Sequence, residues 1–596
     1  MTVKYTSVAL LACVLCQLSS ASPIYPQATP QLPTAISFAG TRELASGNAD
    51  AALIAIKADS PWADSQLWLY KFGVINARLG NTAEAVEALN TVSSTCQTLR
   101  PLAMEQIGDI AVEQKDFPQA MTSYSSVLGV AELPEQYRHE LFRKIKSVIG
   151  NGIALPPNAS WIDEYHQWEQ EQQQALTATK PETVCDSLCR VQNTLWSRAW
   201  NLEMANNFKA AITNYRSVFN ISGRRTEEAH IRHALCFYKL GKYDSVIVHI
   251  NTFKQAFPGS TFFWAAMFWQ GKAYAAQGNT EEAHKVWNQI ARLNPFDYHA
   301  HRAMQLMGMA DKGTGKYHAA PPNVKPISEN AVREWLDSVP PPLSTPRKDF
   351  AKADSVALRR GAALLSVAQA NTAVFFLDDY QNNYPGNLLL QYDLASSYAI
   401  AGSIGRAFNV GRRLAWRIPT THRENIPLQV QSVIYPPFYA ATISKYAKRF
   451  NVDPLFVSAV MRQESIFDSS LVSIAGAIGL MQVMPATGRK IAAELKEKNF
   501  ATDSLFNTDL SIRYGVYYLR KRMIQFNGDF VLALCAYNAG ANNAIKWRDR
   551  NRNVDYDIFA ENIAFLETRG YVKRVLGNYW TYQRLVSTPG YEYKGE

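Results

Sequence analysis

A turn followed by a small residue recurs along most of this chain at a spacing near 35 residues, and that recurrence constrains the fold more than any other feature. Leu79-Gly80-Asn81 leads to Ala85, and Gln114-Lys115-Asp116-Phe117 leads to Ala120, 35 residues on. Asn206-Asn207-Phe208 leads to Ala210 and Gly241-Lys242-Tyr243 to Ser245, again 35 apart. Gly278-Asn279 leads to Ala283, Asn371 to Ala373, and Gly402-Ser403 to Ala407, 34 beyond Ala373. Between the turns the pattern is helical, and β-branched runs are scarce. A lone helical hairpin leaves one face apolar, and stacking neighbours buries it, so this period calls for an array. The small residue lets the two helices of a hairpin approach. Tyr70, Tyr124, Tyr215, Tyr238, Tyr274 and Trp287 are expected to fill the interfaces.

The period resembles that of tetratricopeptide-type hairpins and implies an all-α chain with an N-terminal superhelix over residues 22–320. Seven prolines between Pro321 and Pro346 mark a linker over 321–350, with one short helix at 330–338. Helical hairpins return as a short linker domain over 351–430. Tyr435-Pro436-Pro437 then opens a last domain, 431–596.

The first residues read as a secretory signal, 1–21. Lys4 is the basic start, Val8 to Leu18 a short apolar run, and Ser19-Ser20-Ala21 a small-residue cleavage site. Export to the periplasm is therefore expected, and no later segment reads as a transmembrane span. Leu10-Leu11-Ala12-Cys13 is a poor lipid-attachment box, since Leu11 fits badly and the apolar run continues past Cys13. The five cysteines beyond the signal, Cys96, Cys185, Cys189, Cys236 and Cys535, match no common metal framework, and no metal or cofactor is expected. Cys185 and Cys189 are close enough to pair; the other three read as buried or free thiols.

Net charge is +10, and residues 432–596 alone hold 21 Lys+Arg against 15 Asp+Glu. A basic region of this kind suits an acidic polymer. Nucleic acid is one such polymer, though it sits poorly with secretion, and cell-wall glycan with its acidic peptides is another; the charge alone does not choose between them.

Four clusters carry candidate chemistry. Asp453-Pro454 is a helix start, with Asp as N-cap and Pro at the first helical position. About three turns later that helix reaches Glu464-Ser465. A carboxyl at a helix C-terminus, partly buried, is pushed toward its protonated form, as a general acid requires. Next come Ser473, Gly479-Leu480-Met481-Gln482 and Met484. Gln482 is able to hydrogen-bond the amides of N-acetylated sugars and Met484 to pack on a sugar face. The third cluster is Ala536-Tyr537-Asn538-Ala539-Gly540, and the fourth is Glu567-Thr568-Arg569-Gly570-Tyr571-Val572.

In this order the clusters resemble the soluble lytic transglycosylase family, whose catalytic domain is a goose-lysozyme-like α fold. The resemblance is dense over about 165 residues, and the upstream repeats look like the family's superhelical domain. It implies Glu464 as the catalytic acid/base, with Ser473, Gln482 and Met484 contacting substrate. Tyr537 would stand beside the acid and orient it, Asn538 would tie its loop, and Glu567 would support site structure and charge balance. Leu471 and Ala564 depart from the family's small residue and proline, which changes packing rather than function.

The implied reaction cuts the β-1,4 bond between N-acetylmuramic acid and N-acetylglucosamine, leaving a 1,6-anhydromuramoyl end, with Glu464 as acid and then base. The expected partners are peptidoglycan strands and other cell-wall enzymes, not nucleic acid, and the chain is expected to be a monomer. Two readings compete. A hydrolytic muramidase needs a second acid such as Asp468, Asp503 or Asp509 to hold water. A catalytically silent glycan-binding scaffold needs none.

Overall fold

A computed structural model describes residues 38–58, 65–130, 133–175, 187–311, 327–340, 352–384, 386–591 and 593. The expected signal segment 1–21 and Cys185 lie outside these residues. Among the described residues the chain is helical, and β pairing is limited to the isolated bridges Val472–Ile478 and Ile478–Val483. None of the described helices is long and apolar enough to cross a membrane.

Each repeat turns on one left-handed residue. These are Gly80 (φ 76°), Lys115 (62°), Asn206 (59°), Gly241 (70°), Gly278 (79°), Ala368 (58°) and Gly402 (77°). Five positions after each lies a buried residue: Ala85, Ala120, Ala211, Val246, Ala283, Ala373 and Ala407. Two sequence expectations thus shift by one, because Ala210 and Ser245 are half-buried and their successors take the inner position. The helix cap explains the first of these. Asn207 accepts a hydrogen bond from the Ala210 amide at 3.3 Å, as Asp116 does from Gln119 and Asn279 from Glu282. The cap partner therefore sits on the outer side, and the next residue points inward.

The helices of a hairpin meet where a side chain is absent. A Cβ on Gly108 would lie 2.5 Å from Cε1 of Tyr124, and one on Gly271 would lie 2.2 Å from Nε1 of Trp287. Large aromatics on the second helix thus fill the room left by glycine on the first. Tyr70, Tyr124, Tyr215 and Trp287 are buried as expected, whereas Tyr238 and Tyr274 are half-buried.

The chain packs as two compact units; both draw on either side of the sequence boundaries at 320 and 350, and the second also spans that at 430. One joins Met1–Pro181 with Arg333–Arg417. In it Thr41 Oγ1 donates to the Ser366 carbonyl at 2.6 Å, and Arg78 donates to the Val367 carbonyl at 3.0 Å. The other joins Glu182–Val332 with Ile418–Glu596, so the later repeats pack with the last domain. Its core groups Trp269, Trp287 and Met304 with Ile558. Charge reinforces that contact. Lys272 Nζ reaches Asp555 and Asp557 at 3.0 Å each, and Arg302 Nε donates to Asp557 Oδ1 at 2.7 Å. Cys96, Cys236 and Cys535 are buried free thiols. Cys189 is disulfide-bonded, and its partner lies outside the described residues.

Candidate active site

The helix Pro454–Glu464 delivers the candidate acid. Asp453 Oδ1 accepts from the Leu455 amide at 2.8 Å, and its other oxygen accepts from Tyr579 Oη at 2.7 Å. Phe456, Val457, Ala459, Val460 and Met461 are fully buried, so the helix is fixed along its length. It stops at Glu464, because Ile466 (φ 51°) and Phe467 (φ 62°) both take left-handed conformations. A β-branched residue pays a steric penalty there, on the order of 1–3 kcal/mol, which surrounding structure must offset. Phe467 is held down by Phe438, ring to ring at 5.5 Å, and is itself buried.

Tyr571 Oη donates to Glu464 Oε1 at 2.6 Å. Burial is the main force on the carboxyl and pushes it up to about 7; the Tyr571 hydrogen bond opposes that rise and the charge of Glu567 adds to it. Burial, and then the nearby Glu464 charge, raise the phenols of Tyr571 and Tyr537 well above their usual range, so both are protonated donors. The expectation that Tyr537 orients the acid is corrected here. Its hydroxyl donates to the Met481 carbonyl at 2.8 Å, and the orienting bond comes from Tyr571. Tyr571 stood in the fourth sequence cluster, but nothing in spacing alone separated its role from that of Tyr537.

Residues 471–483 form a small looped hairpin. Ser473 Oγ accepts from the Ala477 amide at 2.9 Å, which closes the tip. Gly479 (φ 74°) admits no side chain, since a Cβ would lie 2.3 Å from the Leu505 carbonyl oxygen. Gln482 spends its side-chain N–H groups on the Leu471 carbonyl at 3.1 Å and the Gly479 carbonyl at 2.9 Å. Its side-chain oxygen is left as the acceptor. Met484 is exposed at the start of the helix Pro485–Glu494. Asn538 Oδ1 accepts from Thr568 Oγ1 at 2.6 Å, joining the helix Phe530–Ala539 to the first turn of Leu566–Val586.

Two of the three candidate water-holding acids are otherwise engaged, and the third, Asp503, is exposed. Asp468 accepts from the Ser470 amide and hydroxyl, at 2.9 and 2.6 Å. Asp509 takes hydrogen bonds from Tyr446 and Lys445, which help to hold it below the usual carboxylate range although partial burial pulls it upward. The carboxylate that acts on Glu464 is Glu567, which is exposed. Among the described residues no cluster of His, Cys, Asp or Glu is arranged to hold a metal.

Residues 441–560 match the family model described as "Transglycosylase SLT domain". The last domain thus carries a transglycosylase SLT domain. Glu464, Ser473, Gln482, Met484, Tyr537 and Asn538 all fall inside the SLT match, while Glu567 and Tyr571 lie beyond its end. Residues 265–296 match a tetratricopeptide repeat. A soluble lytic murein transglycosylase of Salmonella typhimurium is 32% identical over 144 residues, 24% of this chain and 22% of that one. A putative soluble lytic murein transglycosylase of Haemophilus influenzae is 32% identical over 155 residues, 26% of each chain. The chain thus spans about a quarter or less of the length of these relatives. Among solved structures, lytic transglycosylase Slt of Pseudomonas aeruginosa aligns over 92% of this chain and 81% of its own, at 18% identity and a TM-score of 0.48.

Proposed function

We propose that this protein is a lytic murein transglycosylase that cuts the β-1,4 bond between N-acetylmuramic acid and N-acetylglucosamine in peptidoglycan. One observation carries the reading. Glu464 is a carboxyl that titrates near neutrality, and the other carboxylate acting on it lies on the same helix as its hydrogen-bond donor. Among the described residues the carboxylate acting on Glu464 thus stands beside its hydrogen-bond donor rather than across from it, where an ordinary glycosidase places its second carboxylate.

Glu464 gives its proton to the glycosidic oxygen, and the C1–O bond electrons leave with that oxygen. The acetamido group of the muramoyl sugar supports the cation-like C1. The carboxylate then takes the C6 hydroxyl proton as that oxygen bonds to C1. The proton is back on Glu464, no water is consumed, and the product is a 1,6-anhydromuramoyl end. Met484 offers an apolar surface for a sugar face, and the free oxygen of Gln482 accepts an acetamido N–H. Ser473 shapes the loop tip against the glycan, Tyr537 and Asn538 brace the floor, and the charge of Glu567 adds to the burial that favours the protonated acid. The functional division we propose is a repeat domain at 22–320, a linker at 321–350, a linker domain at 351–430 and a catalytic domain at 431–596. The protein works in the periplasm as a monomer.

Clearance of dye-labelled sacculi tests the acid. Wild type should solubilise the label and Glu464→Gln should not. Equal clearance by the two would sink the assignment.

A further inference from the structure

We infer that Arg569, held by Glu228 of the repeat helix Thr226–Lys239, is a positioning residue: it sets the rotation of the helix Leu566–Val586 and so the placement of Tyr571 against Glu464. The inference rests on Glu464 being the acid/base of the reaction proposed above.

The argument begins with the two faces of that helix. Arg569 and Lys573 are four residues apart and share one side. Each is two residues from Tyr571, so each lies about 200° around the axis from it. Glu567 is four residues before Tyr571 and shares the site face. One side of this helix thus presents Tyr571 and Glu567 to the acid, while the other presents two cations to its surroundings.

Both cations are engaged, Arg569 buried and Lys573 half-buried. Arg569 is only 6% exposed. One of its Nη atoms donates to Glu228 Oε1, and the other to the carbonyls of Glu561 at 3.4 Å and Ile563 at 3.3 Å. Its guanidinium lies 5.1 Å from the Trp200 ring centroid, and that of Arg232 lies 4.6 Å from the same ring. Lys573 Nζ donates to Glu561 Oε1 at 2.7 Å. Glu561 is in turn bonded through its carbonyl by Arg232 Nη1 at 2.8 Å and through its carboxylate by Trp269 Nε1 at 3.3 Å. Behind these stands Glu203, paired with Arg232 and with Lys239 Nζ at 2.6 Å. Glu228 also accepts from Arg225 at 2.9 Å. Three repeat helices, Ser187–Met204, Thr226–Lys239 and Phe263–Ala276, thereby grip the residues flanking Tyr571.

A 2.6 Å hydrogen bond leaves little room for helix rotation, and a hydrogen bond weakens steeply as its length and angle depart from the ideal. The groups facing Glu464 are Tyr571 and Glu567 on this helix and Tyr537 on Phe530–Ala539. Arg574 acts on Tyr571 and donates to Gln463 at 3.0 Å. Of these, Tyr571 is the group that favours the ionised acid. If the clamp is released, Glu464 loses that support and holds its proton to higher pH.

The test follows the Glu464 carboxyl directly, by pH-difference infrared spectroscopy of the full chain, with the band identified by its loss in Glu464→Gln. Tyr571→Phe should raise the Glu464 midpoint by about one pH unit, the size of a lost hydrogen bond to a charged group. Glu228→Gln should raise it in the same direction, and adding it to Tyr571→Phe should move the midpoint no further. Asp557→Asn breaks a separate buried bridge to the repeats without touching a residue beside Tyr571, and should leave the midpoint at the wild-type value. If Glu228→Gln does not accumulate as folded protein, Arg569→Lys keeps the charge, loses the fork and carries the same expectation. A wild-type midpoint in the clamp variants, or an equal shift in Asp557→Asn, would overturn the inference. Sacculus clearance by Glu464→Gln would instead overturn the proposed reaction while leaving the titration result standing.

Discussion

Tyr571 holds the carboxyl of Glu464 by a 2.6 Å hydrogen bond, 107 residues apart in the chain. The bond favours the anion, against burial and Glu567, which favour the acid. The balance leaves a group able to give a proton and take one back near neutral pH.

Tyr571→Phe should therefore move the basic limb of the pH–rate profile upward. In the proposed reaction the acid step needs protonated Glu464, so wild-type activity should fall as pH rises through about 7. Without the phenol the fall should come at higher pH, and the peak rate should drop about tenfold to a hundredfold as the carboxyl loses its orientation. Initial rates of sacculus solubilisation between pH 5 and 9 check this.

Glu464 should also cost stability at high pH. Its folded value, about 7, lies above the ordinary carboxylate value of about 4.3. Between the two the folded state binds more protons than the unfolded state, so stability falls as pH rises through that window. Glu464→Gln should be more stable than wild type at pH 8, by on the order of 2–3 kcal/mol, with the gap closing toward pH 5. Denaturant melts at the two pH values measure it.

Asp557 and Glu561 should act in the opposite sense. Burial raises both carboxyls, but their cationic partners outweigh it and hold them below their usual range: Arg302 and Lys272 for Asp557, and Lys573, Arg232 and Arg569 for Glu561. Their stabilisation is present above the ordinary carboxylate values and is lost as pH falls below about 4. Asp557→Asn should flatten the loss of stability with acidification, and should lower stability at pH 7 by about 3–5 kcal/mol because Arg302 loses its carboxylate and Lys272 keeps only Asp555.

Gly271→Ala should destabilise the later repeats. The new methyl would lie 2.2 Å from Nε1 of Trp287, inside a packed hairpin. Overpacking of this kind costs about 1–3 kcal/mol. A lowered melting temperature checks it, and Gly259→Ala serves as control because nothing lies within 4 Å of that position.

Much of this architecture is legible in the sequence because repeats and caps are local. The 35-residue recurrence marks the hairpins, and Asp453-Pro454 marks the start of the helix that ends at Glu464. The inner residue of a repeat was harder to read, since Ala210 and Ala211 are both small and the cap geometry decides between them. The partner of Glu464 was harder still. Tyr537 and Tyr571 are both tyrosines in ordered clusters, and only the packing of two helices distinguishes a hydroxyl that reaches the carboxyl from one that reaches the Met481 carbonyl. Arg569 and Glu228 lie 341 residues apart, a pairing that no local pattern announces.

The most direct test of the account is mass spectrometry of the ends released from sacculi by the purified chain, compared with Glu464→Gln. Wild type should release 1,6-anhydromuramoyl ends and the variant none. Reducing muramic acid ends from wild type would contradict it, since they carry an oxygen from water at C1 in place of the sugar's own C6 oxygen.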